Sequence, residues 1–264
     1  LCPALKTTPA FAQQADVKTL LDRAKSLAEE QRLDEASKIY TEVLQKEPNN
    51  PLALYQMGWI SNEKHQFEDA VKYFKQLDTS SQGTHKIYGE LGFAYRKLGQ
   101  ADEAQKAYEK ACKAKEDYAP AWLGLGDVLF VLKKDYVGAA KAYEKGLLLA
   151  PNNAIASYRL GWCLNDSGEP AKALPFLQIA VRQEPKYQAA FVEIAFCQLK
   201  LGKSKEALEA SRRALALEKN SVLGNYYAGL AYVRLNQKDK AQEQVVILKK
   251  LSPERAQKLE AAMK

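Results

Sequence analysis

Apolar and polar positions alternate with helical spacing along nearly all of the chain. Between Tyr88 and Ala111, the residues Tyr88, Leu91, Gly92 and Tyr95 fall on one helical face. A polar turn over 98–101 follows, and Ala104, Tyr108 and Ala111 form a second face. The spacing predicts two amphipathic helices joined by a short turn. Neither stripe can be buried by one helix alone, so each pair requires its partner helix and a neighbouring pair.

Shifted in steps of 34 residues, the same phase holds from Val17 almost to the end, giving units over 17–50, 51–84, 85–118, 119–153, 154–187, 188–221 and 222–255. The unit at 119–153 is one residue longer, and the extra residue is expected at the turn near Lys133 to Asp135. Asp16 is the expected N-cap of the first unit, and Pro51 a first-turn proline of the second. A final segment over 254–264 places Ala256, Leu259 and Met263 on one side and charged residues on the other, as a capping helix would. The domain reading is a leader over 1–16, an array over 17–255 and the cap.

The recurring pattern is a large residue, Leu-Gly, Tyr, Ala, an aromatic, Ala and a closing Pro. It is carried by Tyr88, Leu91, Gly92, Tyr95, Ala104, Tyr108 and Ala111, and again by Trp122, Leu125, Gly126, Tyr143 and Pro151. The chain therefore resembles the tetratricopeptide repeat family over 17–255. The resemblance implies an all-α fold, a right-handed α-solenoid of about seven helix-turn-helix units closed by a C-terminal helix. It also implies that the first helix of each unit lines a concave groove and that the second, fifth, ninth, twelfth and thirteenth positions tend to face it.

Down the ninth column stand Lys25, Trp59, Phe93, Asp127, Trp162, Phe196 and Leu230; the fifth adds Tyr55, Leu123, Tyr158, Val192 and Tyr226, and the twelfth Asn62, Arg96, Phe130 and Asn165. Two units are close copies, with Tyr55, Gly58, Trp59 and Asn62 repeated as Tyr158, Gly161, Trp162 and Asn165. Rings supply contact area with few rotamers to freeze, and Asn both donates and accepts toward a peptide backbone. The expected groove comprises Tyr55, Trp59, Asn62, Phe93, Arg96, Lys97, Asp127, Phe130, Tyr158, Trp162, Asn165, Phe196 and Tyr226. Against this stands a reading in which the rings only fill space between successive first helices. Arg96 and Lys97, flanked by Phe93, could meet a partner carboxylate. The Lys and Asn pair of a chaperone-tail clamp is absent, which argues against an Hsp70 or Hsp90 tail as ligand.

Composition narrows the chemistry. The chain is 47% hydrophobic and 27% charged, and no stretch approaches the roughly 18 apolar residues of a membrane span. The net charge of +7 comes from 39 basic and 32 acidic residues interleaved along the helices, which favours an acidic partner only weakly. Two histidines, His65 and His85, and no cluster at metal-ligand spacing leave little material for catalysis, so no catalytic residue, metal or cofactor is expected. Leu201-Gly202-Lys203-Ser204 looks like the end of a phosphate-binding loop, but Cys197 stands where its first glycine belongs and a helix precedes it. It reads as a turn between helices. Cys163 and Cys197 hold equivalent positions in adjacent units and read, with Cys112, as buried thiols without a disulfide.

Ala10-Phe11-Ala12 ahead of Gln13 resembles a secretory cleavage site, which points to an exported or periplasmic bacterial protein, with a cytoplasmic one as the alternative. The expected function is a non-enzymatic scaffold holding a partner peptide or helix in its groove, possible settings being envelope assembly or secretion. The alternatives are single-stranded nucleic-acid binding and self-association.

Overall fold

The computed structural model describes residues 9–77 and 83–264, with side chains from residue 16 onward in the first helix. The described residues form fifteen α-helices and no strand, in two compact units that divide after Val128. In the first unit, α1 (Pro9–Glu29) pairs with α2 (Leu33–Lys46), α3 (Pro51–Glu63) with α4 (Phe67–Gln76), and α5 (Thr84–Lys97) with α6 (Ala101–Ala114), followed by α7 (Ala119–Asp127). In the second, α8 (Tyr136–Leu149) precedes the pairs α9 (Ala154–Asp166) with α10 (Pro170–Gln183), α11 (Gln188–Lys200) with α12 (Ser204–Leu217), and α13 (Val222–Arg234) with α14 (Lys238–Leu251). α15 (Pro253–Ala262) closes it. Stacked helical hairpins of this kind are the architecture of an α-solenoid.

The period is visible in packing. Ala36, Ala70, Ala104, Ala139, Ala173, Ala207 and Ala241 occupy one column and all have 0% exposure. Only a methyl fits where the two helices of a hairpin cross. The glycine column meets the next buried ring: a Cβ on Gly58 would stand 2.7 Å from the Phe74 ring, and one on Gly92 2.9 Å from that of Tyr108.

The turns repeat with the same regularity. Gln31, His65, Gly99, Lys134, Gly168, Gly202 and Asn236 all have positive φ, one per turn. At Gly99 the amide donates to the Arg96 carbonyl (3.1 Å) and that of Gln100 to the Tyr95 carbonyl (2.9 Å), the paired bonds that satisfy the last carbonyls of a helix. Gly202 is one of these turn residues, so the Leu201 to Ser204 stretch is a helix terminus followed by α12.

Two sequence expectations are corrected. Asp16 is no N-cap: it lies inside α1, which runs back to Pro9, and its carboxylate pairs with Lys46 of α2. The extra residue of the 119–153 unit is not confined to its turn. α7 passes into a π-helical segment, Val128–Lys133, whose wider turn takes up one residue before Asp135 caps α8 through the Gly138 amide at 2.9 Å. Of the leader, residues 1–8 lie outside the described residues, whereas Ala10-Phe11-Ala12 belongs to the backbone of α1.

At the other end, Ala256 and Leu259 of α15 pack with Val245 and Leu248 of α14, all at or below 1% exposure. No helix among the described residues is long and apolar enough to cross a membrane.

Candidate functional site: paired acidic and aromatic clefts on the first helices

In each compact unit a cleft opens along successive first helices. In the second unit, α9, α11 and α13 supply Trp162, Asn165, Asp166, Glu193, Phe196 and Tyr227 around about 170 Å³. In the first, α3, α5 and α7 contribute Glu63, Glu90, Phe93, Arg96, Leu123 and Asp127, with Tyr118 preceding α7, around about 320 Å³.

The cleft floors are built by the same device. Asn62 donates through Nδ2 to Glu90 Oε2 (2.9 Å) and to the Glu90 carbonyl (3.3 Å); Asn165 donates to Glu193 Oε2 (2.8 Å). Each bond ties the end of one first helix to the middle of the next. The two Asn residues are 3% and 7% exposed, so their amides hold adjacent repeats together and are not available to a peptide backbone. This corrects the expectation that they face a ligand. Burial raises both Glu90 and Glu193 above the ordinary carboxylate range, while the Asn bonds pull them back down. Neither acid has an ion pair among the described residues.

The two Asn residues differ in their second atom. Asn165 Oδ1 accepts from the Cys197 thiol at 2.9 Å, whereas Asn62 Oδ1 is buried without a partner, because Ala94 stands at the position of Cys197. Cys163 and Cys197 are both buried and free of disulfides, as expected, and burial pushes their thiols up to about 12 and about 11. Such thiols are inert.

Arg96 is also reassigned. Its guanidinium lies 3.7 Å from Asp127 and 5.5 Å from the centre of the Phe93 ring, with both charged side chains only 25% exposed. It also reaches Tyr108, whose phenol burial pushes up to about 12 while Arg96 pulls the other way. Arg96 therefore neutralises an acid of its own chain. Lys97 is exposed, and its ammonium also lies 5.5 Å from the centre of the Phe93 ring.

The remaining predicted rings divide between packing and cleft. Trp59 leans on the α1 to α3 core, and Tyr55 meets Phe74 edge-on at 5.8 Å. Phe130 and Tyr136 both pack edge-on to Trp162, at 5.3 and 4.7 Å, leaving Trp162 half-buried with part of its surface in the cleft. Tyr158 packs at a tilt of 42° against Tyr187, with ring centres 4.7 Å apart, and Tyr226 lies beneath the Arg255 guanidinium at 5.0 Å, away from the cleft. Phe196 and Tyr227, 5.8 Å apart, complete the cleft rings.

The structure adds Glu63, Glu90, Tyr118, Asp166, Glu193 and Tyr227. A signal for two of them stands in the sequence, since each Tyr-x-x-Gly-Trp-x-x-Asn copy is followed 28 residues after its Asn by Glu and three later by Phe.

Profiles described as tetratricopeptide repeat match residues 27–91, 90–148 and 130–190, which together run unbroken over more than half of the chain. The chain belongs to the tetratricopeptide repeat family. Among curated relatives, the BBSome complex member BBS4 of Bos taurus is 27% identical over 208 residues, covering 78% of this chain and 40% of that protein. The anaphase-promoting complex subunit CDC16 of Saccharomyces cerevisiae is 33% identical over 117 residues, 42% of this chain and 14% of its own. The chain thus spans less than half the length of these relatives. The crystal structure of YrrB, described as a repeat protein with an unusual peptide-binding site, is 25% identical with a TM-score of 0.64, covering 74% of this chain and 97% of that one. Pseudomonas aeruginosa pilF shares the fold with a TM-score of 0.66 at 12% identity over 82% of this chain and 98% of its own.

Proposed function

We propose that this tetratricopeptide protein is a non-enzymatic scaffold that holds a segment of a partner protein against the first helices of its repeats. Members of the family mediate contacts between proteins, and the finer reading rests on one observation: Trp162, Phe196 and Tyr227 present ring surface to an open cleft although hairpin packing already has its own buried residues. Rings held by neighbours lose little entropy on binding, which suits a preformed surface. The peptide-binding site of YrrB supports this use of a related array.

Replacing Phe196 with Ala is expected to weaken partner binding with little change in thermal unfolding. Unchanged affinity beside a lowered melting temperature would reduce the ring to packing. Export and a role in envelope assembly or secretion belong to the same proposal. They are supported by Ala10-Phe11-Ala12 alone and are tested by fusing an alkaline phosphatase reporter to the natural gene product.

A further inference from the structure

The residues around the second cleft have counterparts 103 positions earlier in the chain, of which Glu63, Glu90, Phe93 and Gly124 line the first cleft. Trp59, Asn62, Glu63, Glu90 and Phe93 correspond to Trp162, Asn165, Asp166, Glu193 and Phe196. Around this shared frame the first unit places its own cation, the Arg96 guanidinium, over Phe93 and against Asp127. The frame therefore accepts a planar cation on the aromatic ring.

In the second unit the counterparts of Arg96 and Asp127 are Leu199 and Leu230. Asp166 and Glu193 have no ion pair among the described residues, and the Glu193 side chain takes its hydrogen bond from Asn165. Lys200 lies 5.4 Å over the Phe196 ring but does not line the cleft. Tyr227 adds a third ring where the first unit has Gly124. Two carboxylates among three rings favour a cation, by charge and by the negative faces of the rings. The cleft volume of about 170 Å³ is below the ~300 Å³ of a small-molecule site and suits one side chain of a larger ligand.

We propose that the α9, α11 and α13 face receives a basic segment of a partner protein, with one Arg or Lys side chain seated between Trp162, Phe196 and Tyr227 and paired with Asp166 and Glu193. This rests on the scaffold reading above. It reverses what the net charge of +7 suggests, because the local charge of the cleft is opposite to that of the chain.

The test is selection of a random displayed-peptide library on the intact chain, followed by titration with the best peptide and with a copy whose Arg is replaced by the neutral isostere citrulline. The expected result is enrichment of Arg or Lys flanked by apolar residues, a roughly tenfold or greater loss with citrulline, and a matching loss for Asp166→Asn and for Glu193→Gln. Asp166 is exposed, so its variant leaves melting unchanged. Peptides that bind without basic preference, yet are lost in Phe196→Ala, would overturn the charge assignment and leave the scaffold reading standing. Enrichment of acidic peptides, or binding of single-stranded RNA to this cleft, would also overturn it. Failure of every peptide to bind would sink both readings.

Discussion

The cleft of the first unit and that of the second share a frame and differ in how its charge is met. Arg96 and Asp127 close an internal ion pair over Phe93 in the first, whereas Leu199 and Leu230 leave Glu193 and Asp166 of the second with no cation of the chain. Identical repeat positions can thus be spent on cohesion in one place and left open in another. The scaffold residues, the Ala column and the glycines, are common to both. Two positions that the repeat does not constrain, one on each of two successive first helices, decide the difference.

The largest effects are expected at the Asn residues. Asn165→Ala leaves the buried Glu193 carboxylate without its donor and should cost about 2–3 kcal/mol, read from the urea midpoint. Asn62→Ala should cost less, because Asn62 Oδ1 already lacks a partner and its removal relieves that deficit.

Next comes the internal cation. Arg96→Leu, which copies Leu199, removes the pair to Asp127 and the contact with Phe93, and should lower stability by about 1–2 kcal/mol. The reciprocal double change Leu199→Arg with Leu230→Asp should block a basic peptide from the second cleft. Unaltered affinity in that variant would show that the two clefts are not equivalent.

The buried acids add a pH dependence of known sign. Burial raises Glu193 in the folded state, so the fold binds the proton more tightly than the unfolded chain does. Its contribution to stability is therefore best below the unfolded value near 4.5 and is lost as pH rises through the raised folded value. Glu193→Gln should remove that slope, making the variant relatively more stable at neutral pH than in acid. Melting profiles that stay parallel for variant and parent would contradict it. The smallest effect is expected from Ala94→Cys, which supplies Asn62 Oδ1 with the thiol donor that Cys197 gives Asn165 and should stabilise by about 0.5 kcal/mol.

Much of the fold was legible in the chain because each hairpin repeats one local rule. Period, helix pairs and the crossing alanines follow from spacing alone, and the turn at Gly202 was separable from a phosphate loop by its neighbours. The site was legible only in part. Phe93, Trp162 and Phe196 line the clefts, whereas Asn62, Asn165 and Arg96 share the same helical faces but are engaged inside the protein. A helical wheel shows which residues share a face. It does not show that the Asn of one first helix reaches the Glu of the next.

An all-helical repeat, its register and its small-residue contacts follow from the order of residues, since those depend on positions within one hairpin. Which polar groups are consumed between hairpins, and which stay open in a cleft, depends on how one hairpin packs on the next. The physical reason is that a charge is defined by what lies within a few ångströms of it: Arg96 beside Asp127 is a neutral seam, and Glu193 beside Asn165 is an acid still open to a cation.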